Sequence, residues 1–506
     1  MRVNIIGAGV SGLSVGCYLQ MNGFETHIYE KNATSGGLCT SWKRGEYTFD
    51  GCIHWLLGSN HSNPFYKLWS ELIDMDSIDF VNHKVRAEIE VKNSVDSNGN
   101  KIFHLYTNLN KLEQYMFDIA PEDSRVIRKF IRAIRKIQQY EVPPIVDKVP
   151  RLLTFREKIR MIEHLPLLMF IMKWKKVTNF SFADEFKNPF LKESFQLLYD
   201  GDDINLLILM IPLASYDKNG AGYPIGGSYQ FAQKIEQKYI ALGGEIRFGK
   251  SVEKIICKND NAIGLQLNDG SMIESDITIS AADWQYTLFK ALDGRYTNQL
   301  IHKLNEQKEL KVYYSIFMVA LGVSRKFEDF PHFFRFPLKV DLVSPDGTSY
   351  SRLEVHIYNY DPTLAPEGKT VLSVSFYTTQ GDFWINLRSS DKAKYDGIKN
   401  VFAQEIINAL EQKLENIKAF IEEVDIITPA TYQRYTANRA GSVQGWLPNK
   451  NLTARSPIDI DLPGLNNFYY TGHWVMPGGG LPVAIKTGRD LTQIICRRNN
   501  IKFKIC

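Results

Sequence analysis

Val3-Asn4-Ile5-Ile6-Gly7-Ala8-Gly9-Val10-Ser11-Gly12 is the stretch whose reading decides the fold. The first four residues form an apolar run of β type, and Gly-x-Gly-x-x-Gly follows at once. Leu13 to Asn22 reads as a helix stopped by Gly23, and Glu25–Tyr29 reads as a second strand ending in Glu30. Gly7 permits the tight turn. Gly9 lets the backbone approach a pyrophosphate seated on the free N–H groups of a helix N-terminus, and Gly12 lets that helix pack close to the strand. Glu30 is placed to accept from ribose hydroxyls. Strand, glycine turn, helix, strand and acid in this register predict a dinucleotide site rather than a plain βα turn.

The chain has 506 residues, enough for two domains around a sizeable core. Its six cysteines (Cys17, Cys39, Cys52, Cys257, Cys496, Cys506) are scattered, with no Cys-x-x-Cys. That is neither a disulfide framework nor a metal site, and it predicts a reducing compartment. A strand starting at Val3 leaves no room for a signal or transit peptide, so a cytoplasmic, microbial protein is expected. The longest apolar runs, Leu165–Met172 and Ile204–Ala214, fall short of the ~20 residues needed to span a bilayer.

Charge is unevenly spread. Arg125 to Lys176 holds fourteen Lys and Arg against four Asp and Glu, a balance of +10, while the whole chain carries +4, which leaves −6 elsewhere. Pro121-Glu122-Asp123 opens a helix. Val126, Ile127, Phe130, Ile131 and Ile134 make its apolar stripe, and Arg125, Arg128, Lys129, Arg132, Arg135 and Lys136 cover the rest. Such a helix suits either an anionic membrane surface or a core with a solvated face. Leu165–Met172 lies between Arg160 and Lys173-Trp174-Lys175-Lys176, the pattern of an interfacial anchor. Peripheral contact at the inner face of the membrane is therefore expected, and no nucleic-acid partner.

After Glu30 the chain reads Lys31-Asn32-Ala33-Thr34-Ser35-Gly36-Gly37-Leu38-Cys39-Thr40. An acid followed closely by Gly-Gly resembles the second FAD motif of flavin amine oxidases and carotenoid desaturases. Tyr47-Thr48-Phe49-Asp50-Gly51-Cys52-Ile53-His54 resembles the segment passing the flavin in the superfamily of carotenoid desaturases, carotenoid isomerases and retinol saturases, with Gly51 one place early. His54 reads equally as a core histidine bonded to backbone and as a catalytic acid/base. Gly222-Tyr223-Pro224-Ile225-Gly226-Gly227 resembles the family's Pro-x-Gly-Gly turn, with Ser228 capping a helix to Leu242. The residue matching Val252 touches adenine through its backbone in that family. Gly472-His473-Trp474-Val475-Met476-Pro477-Gly478-Gly479-Gly480-Leu481-Pro482, with a helix from Val483, resembles the third FAD motif, where a helix N-terminus faces the flavin pyrimidine. His473 stands where the family usually has an acid or amide.

The resemblance implies an α/β fold with a discontinuous Rossmann-type FAD-binding domain (1–75, 222–290, 440–506). The second, α+β substrate domain takes 76–221 and 291–439, with a basic helical part near 121–215. It implies FAD contacts from Gly7, Gly9, Ser11, Gly12, Glu30, Lys31, Gly36, Gly37, Leu38, Val252, Gly472, Met476, Gly479, Leu481 and Val483. No metal is implied. A β-hairpin is expected over Val85–Tyr106. A meander is expected over Val252–Cys257, Ile263–Leu267 and Met272–Ile279, and strands over Lys311–Val323, Leu353–Tyr358 and Thr370–Tyr377. A turn-rich connector, Asp361–Lys369, joins the last two, and a helix follows over Asp391–Leu414. The implied activity is FAD-dependent desaturation, saturation or isomerisation of C=C bonds in a carotenoid-like or other apolar isoprenoid lipid. Only one dinucleotide fingerprint is present, so an external quinone, oxygen or other carrier must exchange the electrons. A flavin amine oxidase and a non-catalytic prenyl-lipid binder of the GDP-dissociation-inhibitor type are the rivals.

Overall fold

A computed structural model describes residues 1–139, 148–199, 202–308, 310–447, 458–476 and 479–505; Pro477, Gly478 and Cys506 lie outside them. The N-terminal fingerprint sits at the centre of a five-stranded parallel sheet. Its order is Phe468–Tyr470, Ile277–Ser280, Arg2–Ile6, Glu25–Glu30 and Glu245–Phe248. Arg2–Ile6 is buried past its first residue, which is why it reads as a continuous apolar run. The helix Val10–Met21 is buried on every side, and small residues let its neighbours close in. A Cβ on Gly16 would come within 2.7 Å of the Tyr239 ring in the helix Gly227–Ala241. On the other flank, Gly488 of the helix Gly480–Arg498 leaves room for Ser14, whose hydroxyl donates to the Ile485 carbonyl at 3.0 Å. Pieces from the start, middle and end of the chain thus share one core.

Three antiparallel strands, Val252–Lys258, Asn261–Leu267 and Met272–Glu274, form the meander. The expected strand Met272–Ile279 is two elements, because Ser275-Asp276 turns the chain back into the parallel sheet at Ile277.

A second sheet has seven strands, ordered Ile421–Ile427, Ser315–Val323, Thr370–Thr378, Ser349–Ile357, Phe333–Val343, Val85–Glu90 and Ile102–Tyr106. All neighbours are antiparallel except Phe334-Arg335 beside Glu88-Ile89. One face packs on the helix Lys392–Leu410 through Phe317, Leu353, Val374, Phe402 and Ile406. Asp391 is that helix's cap, accepting from the Lys394 N–H at 2.9 Å. The strand expected from Lys311 is regular only from Ser315. In and beside this sheet, the elements that the sequence reading lacks include three of note. Phe333–Val343 contains Pro337, Ile421–Ile427 is rich in acids, and Gly381–Ser390 is a short helix.

The apolar stripe of the basic helix, Ser124–Gln139, is covered by protein, while Arg125, Arg128, Lys129, Arg132 and Lys136 are exposed. Ile127, Phe130, Ile131, Ala133 and Ile134 are buried in a core with Phe182, Phe195 and Met210. Its cations are partly engaged, Lys129 with Glu185 and Arg135 with Glu113. Trp174 is also buried, so it is no interfacial anchor. The exposed apolar surface is elsewhere: Phe155 is 77% exposed, Leu168 55%, Met169 65% and Met172 53%. Among the described residues no helix is long and apolar enough to cross a membrane.

Candidate cofactor and substrate site

Gly7 turns with φ +96°, and a Cβ on Gly12 would strike the Gly7 carbonyl oxygen at 2.0 Å, so both glycines are required by the strand-to-helix turn. Gly9 differs. A Cβ there would meet no atom within 4 Å, and as the N-cap of Val10–Met21 it offers no side chain to the first-turn N–H groups. Open space in front of an uncapped helix N-terminus is an anion cradle.

Glu30 is buried at the end of its strand. One oxygen accepts from the Ala8 N–H at 2.8 Å, and the other accepts from the Asn32 N–H (2.9 Å) and side-chain amide (2.8 Å). The acid is thereby fixed beside the glycine turn with acceptor capacity left over. Lys31 turns elsewhere and donates to the Arg434 carbonyl at 2.7 Å. Gly36 and Gly37 pass directly against the first turn: the Gly36 N–H donates to the Ala8 carbonyl at 2.9 Å, and a Cβ on Gly37 would lie 3.2 Å from the Gly9 Cα. Leu38 follows half-buried. The Val252 carbonyl accepts from the Tyr286 hydroxyl at 2.7 Å, which leaves one lone pair of that oxygen.

The C-terminal motif meets the N-terminal one. The Ser11 and Thr471 hydroxyls lie 3.0 Å apart, and the Gly472 N–H donates to Thr487 Oγ1 at 3.0 Å. Gly480–Arg498 begins three residues before the expected Val483, after Gly479 in a positive-φ conformation, and no side chain caps it. Met476, Leu481 and Val483 are half-buried around that end. His473 is enclosed, burial pushes its imidazole down to about 4, and Nε2 has no hydrogen-bond partner among the described residues. Two uncapped helix N-termini, an open Gly9 and an orphaned imidazole nitrogen fit a bound FAD.

A second polar cluster is built around Asp50. The sequence reading gives the helix Gly227–Ala241 a Ser228 cap, but the Asp50 carboxylate holds that end. It accepts from the Ser228 N–H at 2.5 Å and from the Ser228 hydroxyl at 2.6 Å. The Ser228 hydroxyl in turn accepts from the Ile53 N–H at 2.7 Å, which fixes the approach to His54. Asp361, in the turn-rich connector, accepts from the Tyr223 hydroxyl at 2.9 Å and the Gly226 N–H at 3.0 Å.

Among the described residues no backbone group bonds to His54. Its ring stacks on His356 at 4.0 Å, and Nδ1 lies 3.4 Å from the Tyr358 hydroxyl. His356 Nε2 is 3.7 Å from Glu354, which is paired with Arg335 at 2.5 Å. A second stack, His83 on His332 at 3.4 Å, leans on Tyr360. Burial lowers all four imidazoles; His356 and Arg86 add to this at His54, and Arg86 adds to it at His83, which falls to about 4. Burial works to raise Glu354, but Arg335 and His356 outweigh it and hold the carboxyl well below the usual range. His83, Arg86, His332 and His356 are absent from the sequence reading. Arg352, Glu354 and His356 at every second position of one strand, with Tyr358 just past its end, were a signal that could have pointed to this cluster.

The sequence pattern of the family described as flavin containing amine oxidoreductase matches residues 10–496. A 4,4'-diapophytoene desaturase (4,4'-diapolycopene-forming) of Methylomonas sp is 23% identical over 99% of this chain and 96% of its own length. The chloroplastic prolycopene isomerase of Daucus carota is 24% identical over 94% of this chain and 77% of its own. Among solved structures, a putrescine oxidase superposes with a TM-score of 0.58 at 12% identity, covering 98% of this chain and 99% of the oxidase.

Proposed function

The chain belongs to the flavin containing amine oxidoreductase family, and from that premise we propose that it desaturates, saturates or isomerises C=C bonds of a carotenoid-like or other long isoprenoid lipid. It is an FAD-dependent oxidoreductase. Bound FAD supplies hydride exchange with a substrate carbon, while a proton moves separately. Gly7 and Gly12 form the turn, Gly9 would admit the pyrophosphate, Glu30 would accept from the ribose, and the N-terminus of Gly480–Arg498 would offset negative charge on the flavin. His54, neutral at pH 7, holds or releases the proton.

The charge balance beside His54 carries the substrate reading. Asp50, Asp361 and Glu354 are each held by protein donors, so among the described residues beside His54 no carboxylate stands unpaired to receive a protonated amine. Neutral imidazoles and phenols suit the apolar chain of a polyene. The lipid enters from a membrane surface through the exposed patch of Phe155, Leu168, Met169 and Met172, flanked by Lys173 and Lys176. Electrons pass to or from an external carrier.

The test is product analysis of the FAD-loaded protein with a panel of polyenes and a panel of amines, aerobically and under argon. Altered double bonds in a polyene are expected. Turnover of amines alone would return the chain to amine oxidation.

A further inference from the structure

Arg86 is a cation without a counter-charge. It lies on the strand Val85–Glu90 where the pairing with Ile102–Tyr106 slips: Val85 faces Tyr106 and Ala87 faces Leu105, so Arg86 is the extra residue of a β-bulge. Bulges re-aim side chains, often beside active sites. In a regular strand Arg86 and Glu88 would share a face. Here Glu88 pairs with His104, while the Arg86 guanidinium lies 5.2 Å from the Phe333 ring and 5.8 Å from the Tyr216 ring. The nearby acids are all taken: Glu90 pairs with Lys413, and Glu354 with Arg335. Among the described residues no carboxylate pairs with Arg86. Arg86 is partly buried, and two ring faces offset only part of the cost of keeping an unpaired cation out of water.

The groups around it are donors or neutral. The Tyr216 hydroxyl touches Arg86 and stays protonated, since burial pushes it up to about 12. His83 stands close enough for Arg86 to depress its imidazole further after burial, and its Nε2 has no hydrogen-bond partner among the described residues. One guanidinium, one phenol and one imidazole match the two oxygens of a carboxylate. A phosphate dianion would need a second cation. Trp55 on Tyr216, and Phe333 on His356, make the surroundings aromatic.

We infer that Arg86, with Tyr216 and His83, is a receptor for the carboxylate of a long apolar acid. It fixes one end of the substrate relative to His54. The inference rests on the isoprenoid reading above, and narrows it to substrates that carry an acid group at one end.

The test uses FAD-loaded wild type, Arg86→Leu and Arg86→Lys. Each is titrated with all-trans-retinoic acid and with its methyl ester, following the flavin spectrum and tryptophan fluorescence, while turnover of a hydrocarbon polyene is measured in parallel. Wild type should bind the acid about tenfold or more tighter than the ester, the scale of a charge-assisted hydrogen bond. Arg86→Leu should abolish that preference and leave ester binding and flavin content unchanged; Arg86→Lys should keep part of it. If Arg86→Leu does not fold, a preference reduced in Arg86→Lys decides in favour. Equal binding of acid and ester by wild type, or a preference that survives Arg86→Leu, overturns the receptor. When hydrocarbon turnover persists alongside equal binding, only the receptor falls. When no polyene is bound or converted, the isoprenoid reading falls with it.

Discussion

The hydroxyls of Ser11 and Thr471 meet at 3.0 Å, 460 positions apart in the chain. That contact brings the uncapped N-termini of Val10–Met21 and Gly480–Arg498 to one place. Neither end alone makes a flavin site, and each glycine turn alone is common.

Gly9→Val should abolish FAD binding while the protein stays folded. A Cβ at Gly9 meets no protein atom within 4 Å, so the substitution extends into the space left for the pyrophosphate. Flavin absorbance and the thermal midpoint of the same sample decide it. A folded variant with full absorbance would place the pyrophosphate elsewhere.

Glu30→Ala should weaken FAD and also lower stability. The Ala8 and Asn32 N–H groups lose a buried charged acceptor, which costs about 1–3 kcal/mol. Urea unfolding of the FAD-free protein isolates the structural part. An unchanged midpoint there would show that water replaces the carboxylate without cost.

His54→Phe should keep FAD bound, preserve the stack on His356 and lower turnover. A general acid/base supplies ~10²–10⁴-fold. Full activity in this variant returns His54 to a packing role.

Acid should destabilise the fold well above the carboxylate range. His83 and His473 have folded values of about 4, depressed by burial, against ~6.5 in an unfolded chain. A depressed folded value means that the unfolded state takes protons first. The stability from neutral histidines is therefore complete above pH ~6.5 and is lost as pH falls toward about 4. Unfolding midpoints at pH 7.5 and 5, with FAD held constant, should differ, and His83→Phe should narrow the gap. A flat profile over that range would mean that these rings are hydrated.

Leu168→Glu with Met169→Glu should reduce co-sedimentation with anionic vesicles while flavin content stays normal, because both side chains are exposed and touch no core. If wild type ignores such vesicles at low salt, the patch serves another purpose.

The parallel sheet was legible because its signals are local. Gly7, Gly9, Gly12 and Glu30 sit within one βαβ unit whose backbone geometry demands those residue types. The cluster around His54 was not legible, because His83, His332 and His356 come from separate strands and loops and meet only through the seven-stranded sheet. Phe333–Val343 was hidden by Pro337, which sits at a slip in the pairing with Ser349–Ile357. The basic helix misled for a related reason. Its apolar stripe could not say whether lipid or protein covers it, and Phe182, Phe195 and Met210 do.

The descent of the cofactor site from both ends of the chain also sets a clock. At ~5–20 residues per second, the ribosome needs roughly half a minute to a minute and a half after making Gly9 before it delivers Gly479. During that interval the sheet is completed in stages: Glu245–Phe248 and Ile277–Ser280 follow about half-way, and Phe468–Tyr470 arrives only near its end. Flavin capture thus has to wait until Gly479 has been made. A nascent chain stalled before Thr471 should hold no FAD, however well its first thirty residues have formed.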